Sequence, residues 1–337
     1  AAATESYSDS FSGLISLLAG VVATTTVLRE RSRAKATTRL FVGTCLAVAA
    51  SWVVTAGIWA LTSADTGIVA TIHIGTFTTP QPFFLPATVT AGRYEAFGVN
   101  IHRLTGLTRE PGWMAMYLTV AFLLYPHCNW RRGWPRLLLP LALLGTVSTA
   151  GFGIFTIVLA ARRFFSPNND ARPELAIAKH LLGIFVISAA TWIAFFAPVV
   201  GLSSKRSVNE LSLTERQVAT EAGLRALYDI DLLGGGGTAI NLIASSAAYG
   251  VAYALLILAG LMALNSKPSA APAYRAWPAG TVAIILTLLF SQPPHDATVA
   301  YCLVLLCAAN RQQASSNSHD DARHAPTVRE RQQRSAP

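Results

Sequence analysis

Continuous apolar runs, such as residues 40–62 and 239–264, separated by short basic clusters, constrain this chain more than any other feature. Runs of this length and composition are suited to a hydrocarbon core about 30 Å thick. With 52% hydrophobic residues, 13% charged residues and a mean hydropathy of +0.43, the expected fold class is all-α, a polytopic helical membrane protein. A transmembrane β-barrel would alternate apolar and polar positions in segments of about ten residues, and these runs do not. The net charge of +9 does not point to nucleic acid, because the basic residues lie between apolar runs, where orientation in a bilayer accounts for them. Cys45, Cys128, Cys302 and Cys307 lie in or beside apolar runs without metal-ligand spacing and read as packing residues.

Charge bias orients the chain. Residues 29–39 hold five basic residues and one acid, and residues 127–136 hold three arginines and no acid. With residues 162–179, residues 267–275 and the tail, these are expected to be cytoplasmic. Residues 63–112 and 202–237 mix both signs and are expected as two long extracytoplasmic loops. Alternation between the faces then requires roughly nine spans, with the apolar segment 134–161 crossing twice or re-entering as a hairpin broken at Ser148-Thr-Ala-Gly151. The expected organisation is a polytopic membrane domain over residues 1–310 and a disordered basic cytoplasmic tail over 311–337. The chain begins without Met on the outer side, which leaves room for upstream helices or a processed leader.

The outer loops carry the chemistry. Arg103-Leu-Thr-Gly-Leu-Thr-Arg-Glu-Pro-Gly-Trp113 is a doubly basic polar stretch that runs straight into an uncharged apolar helix, and guanidinium groups at a membrane surface suit a phosphate-bearing lipid. In the second loop, Ser212-Leu-Thr-Glu-Arg216 reads as a capped helix start. Val218, Ala222, Leu224 and Leu227 follow at near-helical spacing up to Gly234-Gly-Gly-Gly237. The glycine run permits close backbone approach to a ligand, and a hinge explains it equally well. The arginines also read as partners of Glu110, Glu215 and Glu221, and Glu110 before Pro111 as a carboxylate placed at a positive helix end. His73 reads as a packing residue and His180 as a surface one, and Trp113, Trp130, Trp134 and Trp277 as interfacial anchors. No Walker loop, zinc signature or serine-hydrolase elbow is present.

In this order of features the chain resembles the O-antigen ligase and O-antigen polymerase (Wzy-type) superfamily of bacterial membrane glycosyltransferases. The resemblance covers about residues 40–310. It rests on Arg103-Leu-Thr-Gly106-Leu107 with Glu110-Pro111, the Ser148–Gly151 turn, Glu215-Arg216, Gly235–Gly237, Asn241, and the turn from Gly250 into an apolar run. The histidine that ligases of the family carry shortly before the asparagine is missing, Thr238, Ala239 and Ile240 standing there instead. An Arg-x10-Gly pattern of the polymerase branch is met by Arg225 and Gly236.

The resemblance implies transfer of a glycan from a polyprenyl-diphosphate-linked donor to a lipid-linked or surface acceptor, outside the bacterial inner (plasma) membrane, with no cofactor and no metal. It implies catalytic roles for Arg103, Arg109, Glu110, Glu215 and Arg216. Substrate binding falls to His102, Arg225, Gly235, Gly236, Gly237 and Asn241. The expected partners are the lipid-linked glycan, membrane lipids and envelope-assembly proteins. A transporter or flippase for such lipids, or a non-catalytic scaffold, are the alternatives. Arginine-dense outer loops favour the enzyme, since a carrier places its polar groups at the membrane midplane.

Overall fold

The computed structural model describes residues 2–62, 67–72, 81–96, 99–106, 108, 110–130, 133–164, 173–196, 210–265, 278–293 and 298–310. Two long helices come first, α1 (Ala2–Leu28) and α2 (Arg31–Leu61), followed by strands β1 (Ile68–Ile72), β2 (Gln81–Phe84), β3 (Thr88–Ala96) and β4 (Val99–Leu104). Helices α3 (Pro111–Leu124), α4 (Pro135–Gly145), α5 (Thr149–Phe164), α6 (Pro173–Phe196), α7 (Glu210–Tyr228), α8 (Leu242–Tyr249), α9 (Val251–Asn265), α10 (Ala279–Phe290) and α11 (Thr298–Asn310) follow among the described residues, with a 3-10 turn at Tyr125–Cys128 after α3.

Two parts of the expected fold class are corrected. The chain is not all-α: the expected first outer loop holds a four-stranded antiparallel meander in the order β1-β2-β3-β4. Nor does it have about nine spans. Among the described residues only Arg31–Leu61 is long and apolar enough to cross a membrane, its 31 residues making roughly 46 Å at 1.5 Å each. Several of the other apolar runs are cut short. Residues 134–161 divide into α4 and α5 at Thr146-Val147-Ser148, where Val147 takes a left-handed φ of 47°. Residues 239–264 divide into α8 and α9 at Gly250, whose φ is 93°. At 14 residues α3 reaches only about 21 Å, and at 12 residues α10 only about 18 Å.

Burial explains why α3 is so apolar. Eleven of the fourteen residues of α3 are buried, on every side of the helix, by α2, α4, α5 and α10. Met114, Leu118, Leu139, Leu143, Ile284 and Leu288 meet there in one core. In α3 the apolarity that reads as membrane contact in sequence is the apolarity of a protein interior.

Specific contacts give the bundle two poles. At one, the start of α2 meets the ends of α3 and α11: Arg39 Nε donates to the Cys128 carbonyl at 3.2 Å, and Asn310 Nδ2 to Thr38 Oγ1 at 2.8 Å. At the other, α2 docks on the meander. Ser51 Oγ and Thr88 Oγ1 lie 2.7 Å apart, and Thr55 Oγ1 lies 2.9 Å from both Thr88 Oγ1 and the Leu85 carbonyl. The same pole holds the start of α3, whose Gly112 abuts Ser291 and Gln292 at the end of α10, and the α4–α5 turn, whose Gly151 abuts Ala115 in the first turns of α3.

Candidate functional site

The meander delivers the chain to the start of α3. The N–H groups of Thr105 and Gly106 both donate to the Val89 carbonyl at 3.1 Å, folding the segment after β4 back over β3. Thr108 Oγ1 sits 2.7 Å from the Thr105 carbonyl and 2.8 Å from that of Glu110, which fixes the approach to the helix. Glu110 is the extended N-cap residue, with Pro111 in the first turn. Its carboxylate caps no backbone N–H of α3; instead it reaches Arg216 of α7, 3.9 Å away. Two polar loops separated by more than a hundred residues therefore meet at one helix start.

Helix α7 is held by the face that begins with Arg216. One turn on, Thr220 Oγ1 accepts from Asn241 Nδ2 at 3.2 Å, while Asn241 Oδ1 caps α8 by accepting from the Ala244 N–H at 2.7 Å. Gly223 continues the face and lets the helices touch, since a Cβ there would lie 2.1 Å from the Ile243 carbonyl oxygen. Arg225 is nine residues beyond Arg216, half a turn around the helix, and so points away from Glu110. It lines a separate open cleft of about 510 Å³ with Glu221, Asp229, Asp231, Gly235 and Gly236.

Asp231 shapes the mouth of that cleft. Its Oδ1 accepts from the N–H groups of Leu233 and Gly234 at 3.3 and 3.1 Å, and its carbonyl accepts from Val251 N–H at 2.8 Å. The turn into α9 lies so close beneath that a Cβ on Gly250 would stand 2.1 Å from the Leu232 carbonyl oxygen. Gly234 approaches protein backbone in the same way, whereas Gly235, Gly236 and Gly237 face open space.

The expected site residues thus fall into three groups. Glu110 and Arg216 come together, with the half-buried Arg103 on β4 leading into the same segment and Glu215 exposed beside Arg216. Arg225, Gly235 and Gly236 share the cleft, with Gly237 next to it. His102 and Asn241 are buried. The His102 ring lies 5.1 Å from Trp59 and 5.2 Å from Phe84, in the packing between α2 and the sheet, and Asn241 is engaged as a helix cap. Arg109 and the tail 311–337 lie outside the described residues, as do His73, Trp277 and residues 267–275.

Sequence reasoning passed over Gln292 and Asp231. Gln292 is buried against Gly112, and its Oε1 makes no hydrogen bond among the described residues. Its one signal in sequence is a polar pair, Ser291-Gln292, ahead of two prolines at the end of an apolar run. Among the described residues no three His, Cys, Asp or Glu side chains gather as a metal site would require. Compared with protein-family models, curated proteins and solved structures, the chain matches none.

Proposed function

We propose that this chain is a membrane glycosyltransferase. In this reading it moves a glycan from a polyprenyl-diphosphate donor to a hydroxyl of a lipid-linked or surface acceptor, the reaction of the O-antigen polymerase and ligase superfamily it resembles. The observation that carries the reading is the Glu110–Arg216 pair at the start of α3. The acceptor oxygen attacks the anomeric carbon as the bond from that carbon to the diphosphate breaks, and the hydroxyl proton passes to a carboxylate. Negative charge develops on the departing diphosphate, where a guanidinium stabilises it through two parallel hydrogen bonds. Arg216 fills that role. At 3.9 Å its pairing with Glu110 is at the limit of an ion pair, so a diphosphate oxygen entering against Arg216 releases the Glu110 carboxylate for the acceptor proton.

Membrane attachment is part of the same proposal. Helix α2 is able to cross, and large apolar side chains stand exposed along the outside of the molecule, among them Leu61 at 88%, Phe185 at 69% and Leu256 at 72%. We place the pole of residues 29–39 in the cytoplasm of a bacterium and the Glu110–Arg216 pole on the outer side of its inner membrane.

A carrier would use its broken helices as binding sites. Here both breaks are filled by the protein. Gly151 N–H donates to Ser148 Oγ at 3.2 Å while Gly151 presses on Ala115, and Gly250 is covered by Leu232. The test is glycan extension or transfer by the purified full chain from a polyprenyl-diphosphate donor, without nucleotide sugar or divalent metal. Product formation that is abolished in Glu110→Gln supports the assignment; a strict requirement for nucleotide sugar rejects it.

A further inference from the structure

The geometry points to a binding site for the phosphate of an anionic membrane lipid at the pole opposite Glu110, built from Arg39, His127, Arg136 and Arg162. These residues come from α2, the turn after α3, α4 and α5, at the end of the bundle where those elements meet. Arg39 Nε donates to the carbonyl of Cys128, the neighbour of His127, at 3.2 Å. The Arg136 guanidinium stacks 4.6 Å from the centre of the Phe122 ring, which packs at 5.3 Å on Phe155. Arg162 lies two turns beyond Phe155 on the same face of α5. The proximity of Arg162 is felt by His127, whose pKa is lowered by burial first and by the guanidinium second.

Charge balance turns this cluster into a site. Among the described residues no acid forms a salt bridge with Arg39, Arg136 or Arg162, in contrast to Arg33 with Glu30 and Arg216 with Glu110. The Nε of Arg136 is shielded from solvent and makes no hydrogen bond among the described residues. A buried donor of a charged group without an acceptor is costly, and a phosphate oxygen supplies one.

The rim identifies the source of the phosphate. Leu40 follows Arg39 and is 72% exposed; Leu137 follows Arg136 and is 72% exposed; Trp134 is 59% exposed. Cations flanked by outward leucines and a tryptophan match a headgroup with its acyl chains, whereas a free ion would make no use of the apolar border.

The test uses the purified full chain in uncharged detergent, titrated with dihexanoyl phosphatidylglycerol, dihexanoyl phosphatidylcholine or inorganic phosphate while affinity is followed calorimetrically. The anionic lipid is expected to bind at least tenfold more tightly than the zwitterionic one. Arg39→Gln and Arg162→Gln are each expected to weaken it about fivefold, and Arg33→Gln, whose charge Glu30 already balances, to leave it unchanged. Arg162 is exposed at the end of α5, so its substitution leaves the fold intact, and melting temperatures identify any variant that does not fold. Equal affinity for the two lipids overturns the proposal, as does a folded Arg39→Gln/Arg162→Gln double variant that binds like the parent. Inorganic phosphate binding as tightly as the anionic lipid overturns the assignment to lipid.

Discussion

The two poles of the bundle handle arginine in opposite ways. Where α2, α4 and α5 meet, guanidiniums stack on a ring or bond to a backbone carbonyl without an acidic partner among the described residues. At the start of α3, Arg216 faces the Glu110 carboxylate 3.9 Å away. Uncompensated cations suit a partner that stays bound and brings permanent negative charge. Compensated ones suit a ligand that must arrive, react and leave, since the resident acid takes the arginine back. Backbone packing differs as well: around α8, Gly223 and Gly250 press on carbonyls, whereas Gly133, at the basic pole, has nothing within 4 Å of where a Cβ would stand.

The sharpest way to break this contrast is through the glycines. Gly250→Ala forces a side chain onto the Leu232 carbonyl at a positive φ and is expected to cost about 3 kcal/mol of stability, while Gly133→Ala stays within about 0.5 kcal/mol. Equal thermal shifts in the two variants would erase the difference. Next in size, Arg216→Lys keeps the charge but loses the planar two-pronged contact, and transfer from the polyprenyl-diphosphate donor should drop roughly a hundredfold. Arg33→Lys, in its exposed pair with Glu30, should transfer at the parent rate. Full activity in Arg216→Lys would remove bidentate recognition from the mechanism.

Smaller effects refine the picture. Asn241→Ala removes the α8 cap and the bond to Thr220 and should cost about 1 kcal/mol or slightly more in denaturant unfolding. A loss of activity far beyond that of an equally destabilised variant would instead give Asn241 a direct role. His127 supplies the smallest effect. Its pKa is lowered in the folded state, so the unfolded chain takes up the proton more readily, and stability falls as pH drops through the ordinary histidine value of 6.5 towards the folded one. In His127→Gln the stability curve should be flatter over that interval, which melts taken at a series of pH values would reveal.

The start of α3 was legible in sequence because Glu110-Pro111 ahead of an apolar run is a local signal, and so was the break near Ser148. The capping role of Asn241 has a local cause too, although the resemblance cast it as a binding residue. The meander was readable in principle from the β-branched stretches Ile68-Val-Ala-Thr-Ile72 and Thr88-Val-Thr90, but the polar residues between them look like an outer loop when membrane spans are being sought. Span number failed for a physical reason: hydropathy registers that a segment avoids water and is silent on whether lipid or protein surrounds it. The division of Arg216 from Arg225 follows from helical phase, and Gln292 reaches Gly112 only through tertiary packing, which no local pattern encodes.

The bond from Asn310 to Thr38 spans 272 positions, and α11 also meets the first helix, Cys302 Sγ lying 3.6 Å from the Gly20 carbonyl oxygen. Until α11 has been synthesised, the side of α1 and α2 that receives it has no cover, and the core around Tyr301 and Val304 is open. Helix α11 thus closes the described bundle against α1 and α2. Maturation therefore includes a long interval in which the apolar side that receives α11 is exposed, and a chain cut short before residue 298 would keep it so.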